Sequence, residues 1–470
     1  MISEDVARKV LAKSLENGGA LAELYIEDRQ SLDLGLEDSK VEVALRGTDR
    51  GAGIRIFCGN VATYAHTDEL SEESLLRVAS EAASAGRGSA KVEVLGFAHS
   101  QSPADSPFEK PFHIMGEKEK AQVLQEIDRA ARGYDPRIHQ VQANYRESRQ
   151  RIWIYNSEGR YAEDERNMLQ IAIVAMARKD SLVQRAVAVV GGQSGLELLD
   201  QVDPVAEGLE AAQSAVKMLD ARSAPAGEMT VAMNRGWGGV LFHEACGHAL
   251  EADFVNQGAS IFAERLGERV ASPLITLIDD GTLPGRRGSF RFDDDGTPSQ
   301  RTVLIECGVL REYLWDVAEG RRANHRSTGN GRRQSFRYPS LPRMTNTFIA
   351  AGETDPEEII RSVKRGLYVK MLGGGQADIA KGDFVFSVSE GYVIEDGRLT
   401  APVRGATLIG NGPQVLGEID MVGSDLELDK GLGVCGKGQT VPVSVGQPTL
   451  RIPSITVGGT MDSPKPSIGP

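Results

Sequence analysis

The most informative segment of this sequence is Leu241-Phe242-His243-Glu244-Ala245-Cys246-Gly247-His248-Ala249-Leu250-Glu251. Its centre sets two imidazoles and a carboxylate close together in the chain. Imidazole is a common ligand of Zn²⁺, and a catalytic zinc usually has three protein ligands and one open position. A glutamate beside the first histidine can accept a proton from water at such a metal. The motif therefore predicts His243 and His248 as metal ligands and Glu244 as general base.

The spacing of the two histidines is unusual, because His248 follows His243 by five residues instead of the four of the common zinc-protease motif H-E-x-x-H. At 3.6 residues per turn, their side chains would point about 140° apart on a regular helix. A widened π-helical turn removes this divergence, and such turns occur mostly at functional sites. Gly247 is where we expect the distortion to cost least, since glycine has no Cβ. We therefore predict a strand over 228–234 and a distorted helix over 237–253.

The motif alone leaves two interpretations open. Short strings of this type arise by chance, and buried histidines are often simply hydrogen-bonded. The surrounding helix is apolar, however, and it also carries Glu244 and Glu251. Buried polar groups are costly without partners, and a metal ion is the simplest partner for such a set.

Four parts of the chain resemble the TldD branch of the TldD/TldE (PmbA) metallopeptidase family. They are residues 241–251, residues 431–437 with 445–451, residues 327–330 with 342–347, and residues 46–55. The resemblance covers essentially the whole chain, and the H-E-x-x-x-H element is absent from the TldE branch. It implies zinc as cofactor, Cys435 as third ligand and short or unfolded peptides as substrates in an enclosed active site. It further implies assembly with a TldE-type subunit as a heterodimer, or with itself as a homodimer.

Cys435 can also be considered without the resemblance. Two histidines and one thiolate leave a zinc coordination position open, and the glycines of 431–438 allow the backbone to approach a helix closely. Without the family, a small buried apolar residue in a β-turn is the favoured interpretation. The same segment matches G-x-G-x-x-G and the start of a phosphate-binding loop, which both require a following helix. Pro442 and the β-branched residues around it predict a strand instead, which disfavours nucleotide binding.

Composition limits the remaining function classes. The chain has 470 residues, enough for two or three domains, and a net charge of −13 with no basic block, which disfavours nucleic acid as a partner. Its four cysteines are widely spaced, as expected in a reducing compartment. No signal peptide or apolar run long enough to cross a membrane is visible. We therefore expect a cytoplasmic protein.

The predicted fold class is α+β. We expect a mixed α/β domain over 1–220, a linker over 221–227, and a β-rich domain over 228–470 that is barrel- or sandwich-like and carries the metal-binding helix. N-terminal helices are predicted over 3–18, 71–85, 115–132 and 203–219, and C-terminal ones over 261–266, 317–322 and 355–363. N-terminal strands are predicted over 22–28, 31–36, 40–46, 53–57, 138–146, 150–155 and 168–178, with turns at Gly47 and 157–159.

Three charged segments lie outside these motifs. Asp293-Asp294-Asp295-Gly296 superficially resembles a calcium loop, but its ligands do not alternate, so we predict a solvated turn. The resemblance implies that residues 289–297 border the active site. The arginine pairs at 321–322 and 332–333 are expected to bind carboxylates or a partner surface.

The predicted function is therefore a zinc metallopeptidase. The alternative functional class is a non-enzymatic binding protein, because some members of the family that this chain resembles have been named modulators of DNA gyrase. Elemental analysis discriminates the two, since only the enzyme requires one zinc per chain.

Overall fold

The computed structural model describes residues 2–59, 61–86, 88, 90, 92–104 and 108–459. Within them, the N-terminal half forms one seven-stranded, mainly antiparallel sheet. Its strands are β1 (Leu21–Glu37), β2 (Lys40–Cys58), β3 (Val61–Thr67), β4 (Ala98–His99), β5 (Ile138–Asn156), β6 (Arg160–Lys179) and β7 (Leu182–Gln193). They follow the order β3-β2-β1-β5-β6, and β6 also pairs with β4 and β7.

The N-terminal helices largely follow the sequence pattern. They are α1 (Glu4–Ser14), α2 (Glu72–Ala85), α3 (Glu117–Tyr134), α4 (Leu198–Gln201) and α5 (Pro204–Leu219), with a 3₁₀ turn at Phe112–Ile114. The side chains of Ser3, Ser71 and Asp203 accept hydrogen bonds from the first turns of α1, α2 and α5, as N-capping residues do.

The strands are longer than predicted. Gly47 does not form a turn: it lies within β2, paired with Ser31 of β1. The predicted pieces of β1, β2 and β5 therefore join into continuous strands. An isolated glycine in a strand pattern suggested a break, but the partner strand supplies hydrogen bonds straight across it.

Alternation along these strands gives the sheet two different faces. Leu24 and Leu34 of β1 lie on the face that packs against α1 and α2 at one end and against α3 and α5 at the other. Glu23 and Tyr25 lie on the opposite face, where Tyr25 packs with Phe336 of the C-terminal half. The second face therefore joins the two halves of the molecule.

The C-terminal half is rich in short strands. They are β8 (Arg222–Ser223), β9 (Gly227–Met233), β10 (Leu277–Asp280), β11 (Arg301–Glu306), β12 (Val309–Leu310), β13 (Gly331–Arg332), β14 (Leu341–Pro342), β15 (Asn346–Ile349), β16 (Arg365–Ala377), β17 (Asp383–Glu395), β18 (Arg398–Arg404), β19 (Thr407–Asn411), β20 (Met421–Val422), β21 (Glu427–Leu428), β22 (Val434–Gly436), β23 (Thr440–Pro442), β24 (Ser444–Gln447) and β25 (Leu450–Gly458). The helices are α6 (Val240–Phe242), α7 (Ala252–Asn256), α8 (Val317–Ala323), α9 (Pro356–Arg361) and α10 (Gly412–Glu418).

Strand pairing closes part of this half into a barrel. The strands pair in the order β16-β9-β25-β19-β17, and β17 pairs back with β16. A second sheet of six strands has the order β12-β11-β10-β15-β24-β21. The mixed fold class and the barrel are thus confirmed. The helical segment around residue 243 packs in the same core as the barrel strands, with Phe242 and Leu250 beside Phe384 and Phe386 in one cluster.

Two local predictions differ from the structure. Residues 261–264 form turns and no helix, whereas α8 and α9 agree with the predicted helices. The predicted linker takes part in the C-terminal sheet: β8 pairs with β18, and Ala221 and Ala224 are buried. The division into domains at this segment stays a prediction.

Among the described residues, every helix is too short or too polar to traverse a lipid bilayer.

Candidate metal centre

The predicted helix over 237–253 consists of four short helical pieces before Glu251. A 3₁₀ turn at Trp237–Gly239 leads into α6, a π-helical turn covers His243–Gly247, and a second 3₁₀ turn covers His248–Leu250. Glu251 is extended, and α7 follows it. The wide turn predicted from the histidine spacing is confirmed, and it spans the interval between the two imidazoles.

Gly247 has a different role from the one predicted. Its backbone is ordinary right-handed helix, with φ −59° and ψ −48°, so the wide turn does not need glycine for conformational reasons. A Cβ at this position would lie 2.3 Å from the Sδ atom of Met344. The glycine is therefore required for close packing against the chain that contains Met344.

Three potential ligand atoms converge beside the wide turn. The Sγ atom of Cys435 lies 3.2 Å from Nε2 of His243 and 3.3 Å from Nε2 of His248. The three ligand atoms lie within 4.8 Å of one another, and all three residues are buried. Cys435 reaches this position from β22, which forms a hairpin with β23. The structure thus brings together the three residues that the sequence interpretation paired.

The donor set fits a zinc ion. Zinc–sulfur bonds of about 2.3 Å and zinc–nitrogen bonds of about 2.0 Å place tetrahedral N and S ligands about 3.5 Å apart. The two N–S distances of 3.2 and 3.3 Å are slightly shorter, so a small outward shift of the side chains accommodates the ion. One thiolate and two imidazoles also leave a fourth position for water or substrate.

The charges of the site favour the thiolate form of Cys435. Burial raises the pKa of its thiol, but the charges of His243 and His248 and their hydrogen bonds outweigh burial and hold that pKa at about 4. The thiolate is the form that binds metals. Cys246 contrasts with it: burial raises the pKa of this thiol, and its side chain packs against Gly412 in the core.

Glu251 orients His248 from the side opposite to Cys435. Its Oε2 atom lies 2.9 Å from Nδ1 of His248, which leaves Nε2 to face the sulfur atom. Burial raises the pKa of Glu251, but the charges of His248 and Lys437 outweigh it and lower that pKa to about 2. Metal-ligating histidines commonly bind a carboxylate through their second nitrogen in this way. The motif ended at Glu251 but did not by itself reveal this role.

Lys437 stabilises the same carboxylate. Its Nζ atom lies 2.9 Å from Oε2 of Glu251 and 3.0 Å from Asp253, and it donates to the carbonyl of Pro342 at 2.7 Å. The lysine of the apparent phosphate-binding motif is therefore engaged in ion pairs. Strand β23 follows it where a nucleotide site requires a helix, which confirms the prediction from sequence.

Glu244 lies at the open side of the site. Its side chain is 32% exposed, whereas that of His248 is 6% exposed, and its Oε2 atom lies 3.8 Å from Nε2 of His248. A carboxylate at this distance can reach a water molecule held near the ligand atoms. The arrangement can therefore bind a metal and move a proton beside it.

The predicted solvated turn at 293–295 is wrong. Asp293, Asp294 and Asp295 are 0, 2 and 0% exposed. Asp295 lies 2.7 Å from Arg55 and Asp294 lies 2.8 Å from Arg166, so arginines of the N-terminal sheet neutralise the turn. The partners stand 240 and 128 residues away in the chain, beyond what local pattern can indicate.

The arginine pair at 332–333 partly follows its prediction. The Nη2 atom of Arg333 lies 3.5 Å from the Asp295 carboxylate, and the backbone N–H of Arg333 donates to the Asp294 carboxylate at 2.7 Å. Both arginines of this pair are buried in the chain, away from any solvent-facing surface. Whether residues 289–297 border the active site stays a prediction.

Comparisons with known proteins identify the family of this chain and agree with its fold. Models of the PmbA/TldA metallopeptidase family match residues 22–86 (domain 1), 110–219 (central domain) and 226–459 (C-terminal domain). A metalloprotease TldD homologue of Haemophilus influenzae is 41% identical over 452 residues, covering 93% of each chain. A metalloprotease of Methanocaldococcus jannaschii is 32% identical over 448 residues, covering 92% of this chain and 96% of that protein.

Two solved structures share the fold. A Thermotoga maritima protein described as a proposed modulator of a DNA gyrase matches with a TM-score of 0.81 at 20% identity, covering 97% of this chain and all of that one. TldE of Thermococcus kodakarensis matches with a TM-score of 0.78 at 18% identity, with the same coverage. Fold, site and relatives together define a metallopeptidase of mixed α and β structure. The chain belongs to the PmbA/TldD metallopeptidase family.

Proposed function

We propose that this chain is a zinc metallopeptidase of TldD type, in which His243, His248 and Cys435 hold the metal and Glu244 is the general base. The observation that carries the proposal is the convergence of three buried ligand atoms from segments 187 residues apart. A structural cluster would need no carboxylate at its open side, yet Glu244 lies there, partly exposed.

The residues have distinct roles in this proposal. Zinc, when bound, polarises the scissile carbonyl and lowers the pKa of a bound water toward 7. Glu244 accepts a proton from the attacking water and delivers it to the departing amine, as a general base that becomes a general acid. Glu251 keeps the Nδ1 proton of His248 in place, so that Nε2 stays free to bind the metal.

We propose short peptides and unfolded segments as substrates. All three ligand residues are buried, and the exposed part of the motif is the Glu244 side chain. A loop on a folded protein would not reach ligand atoms at this depth, whereas an extended chain would. The resemblance adds an enclosed active site completed by a TldE-type subunit or by a second copy of this chain.

The four cysteines form no disulfide, which supports the cytoplasm as the proposed location.

The similarity to the proposed gyrase modulator does not carry that function over. At 20% identity, it shows a common fold. The buried ligand cluster with Glu244 at its open side has a direct use in peptide hydrolysis, and a protein that acts by binding alone does not need that carboxylate. The function proposed here therefore rests on the cluster.

The test compares an unstructured peptide with a stable folded domain, each incubated with the zinc-loaded chain, alone and with a TldE-type partner. We expect cleavage of the peptide, survival of the folded domain and higher activity with the partner, since misplaced substrate can lower a rate about 100-fold. A chelator should abolish cleavage and added zinc should restore it. Cleavage that persists without metal would contradict the mechanism, and equal cleavage of both substrates would contradict the enclosed site.

A further inference from the structure

Arg343 is a fully buried arginine that lies between the two segments that supply the candidate ligands. Its side chain is 0% exposed. Moving a guanidinium out of water is costly unless its donors are paired. The groups around Arg343 therefore indicate what this buried charge stabilises.

One set of contacts fixes the hairpin that carries Cys435. The Nη2 atom of Arg343 donates to the carbonyl of Cys435 at 2.8 Å, and Nη1 donates to the carbonyl of Gln439 at 3.0 Å. Cys435 belongs to β22, and Gln439 directly precedes β23. The guanidinium therefore links both sides of the turn and limits the movement of the cysteine backbone and its Sγ atom.

The remaining nitrogen faces the segment that carries the histidines. The Nε atom of Arg343 lies 3.9 Å from Oε1 of Glu251, whose other oxygen lies 2.9 Å from Nδ1 of His248. In the described part of the chain, neither Nε nor Oε1 has a hydrogen-bond partner. The contact between the two atoms is therefore a charge–charge interaction, and the side chains of both residues are fully buried.

We propose that Arg343 is a positioning residue that fixes Cys435 relative to His248 and thereby sets the affinity of the site for zinc. The inference rests on the proposed zinc site and names a residue that holds its two halves together. Arginine suits this role because its planar fork can reach three points in a fixed geometry. A lysine ammonium is a single point and cannot hold both carbonyls and the carboxylate.

Arg332, which lies in β13, contacts the same hairpin and provides a matched control. It is also buried, and it donates to the carbonyls of Met344 at 2.7 Å and Pro442 at 2.6 Å. Its contacts thus hold the far strand of the hairpin, where Pro442 lies. A general bracing effect would appear in variants of both arginines, whereas ligand positioning would appear in variants of Arg343.

The experiment measures zinc affinity by competition with a chromophoric chelator in wild type, Arg343→Lys, Arg343→Met, Arg332→Lys and Arg332→Met. Thermal unfolding of each metal-free protein reports on the fold. Cobalt substitution adds a spectrum in which the thiolate-to-cobalt charge-transfer band reports on the sulfur ligand. We expect the Arg343 variants to bind zinc about 10- to 100-fold more weakly, Met more than Lys, with a diminished band, and Arg332 variants to stay within about twofold.

Equal zinc affinity of wild type and both Arg343 variants would overturn the inference. So would an equal loss in the Arg332 variants, which would show general bracing. If Arg343→Met fails to fold, Arg343→Lys decides the question, since it keeps a charge in the same place. Failure of the wild type to bind zinc would overturn the proposed function itself, and that outcome is distinct from a variant effect.

Discussion

Two buried polar clusters in this molecule, the acidic turn at 293–295 and the candidate metal centre, differ in how their polar atoms are arranged. At 293–295, the acidic groups are satisfied: Asp293 accepts hydrogen bonds from the backbone of Asp295, Thr297 and Gly331, and arginines neutralise its neighbours. At the candidate metal centre, Nε2 of each histidine faces the same sulfur atom. Burial and charge are common to both clusters, so neither property identifies a metal site. We propose the metal site on a third property, the convergence of ligand atoms on one point.

The largest expected effect comes from replacing each of the two buried cysteines, Cys435 and Cys246, in a separate variant. Cys435→Ser removes the thiolate charge from the ligand set, and we expect zinc affinity to fall by more than about 100-fold, beyond the range typical of outer-shell changes. Cys246→Ala should keep zinc, because that thiol packs in the core and its pKa is raised by burial. Metal content after gel filtration checks both. Zinc loss in Cys246→Ala with retention in Cys435→Ser would show that the third ligand is wrongly assigned.

The second prediction separates chemistry from metal binding. Glu244→Gln keeps the size of the side chain and removes the proton acceptor at the open side of the site. We expect full zinc content and peptide hydrolysis slower by about 100-fold or more. Paired measurements of zinc content and initial rate on one preparation check this. Near-normal hydrolysis would remove Glu244 from the mechanism.

The smallest expected effect on the metal centre comes from the acidic cluster. Arg166→Met leaves the buried Asp294 without its closest guanidinium, at 2.8 Å in the wild type. Breaking a buried pair from one side typically costs about 3–5 kcal/mol of unfolding free energy. We therefore expect a clear loss of stability in denaturant titrations and an unchanged zinc affinity. A large drop in zinc affinity at retained fold would mean that the two clusters are coupled.

The sequence could predict features that depend on residues close together in the chain. The wide helical turn followed from the five-residue spacing of His243 and His248, because two side chains about 140° apart on a regular helix could not bind the same ion. The helices predicted over 3–18 and 71–85 followed from the same kind of local rule, and the side chains of Ser3 and Ser71 cap them in the structure.

Features that depend on distant segments could not be derived in this way. Cys435 was paired with the histidines by family resemblance, since 187 residues separate it from His248. Local pattern predicts a surface turn at 293–295, because the arginines that pair with it lie far away in the chain, on the N-terminal sheet. Barrel closure requires β16 to pair with β9 in parallel, and local patterning does not specify the partner of a strand.

The most direct test of the central claim is X-ray absorption spectroscopy at the zinc edge of the purified wild-type protein. The account predicts one zinc per chain with one sulfur neighbour at about 2.3 Å and imidazole nitrogens at about 2.0 Å. The sulfur signal should disappear in Cys435→Ser and persist in Cys246→Ala. A wild-type zinc without any sulfur neighbour, or a protein that binds no zinc at all, would contradict the account.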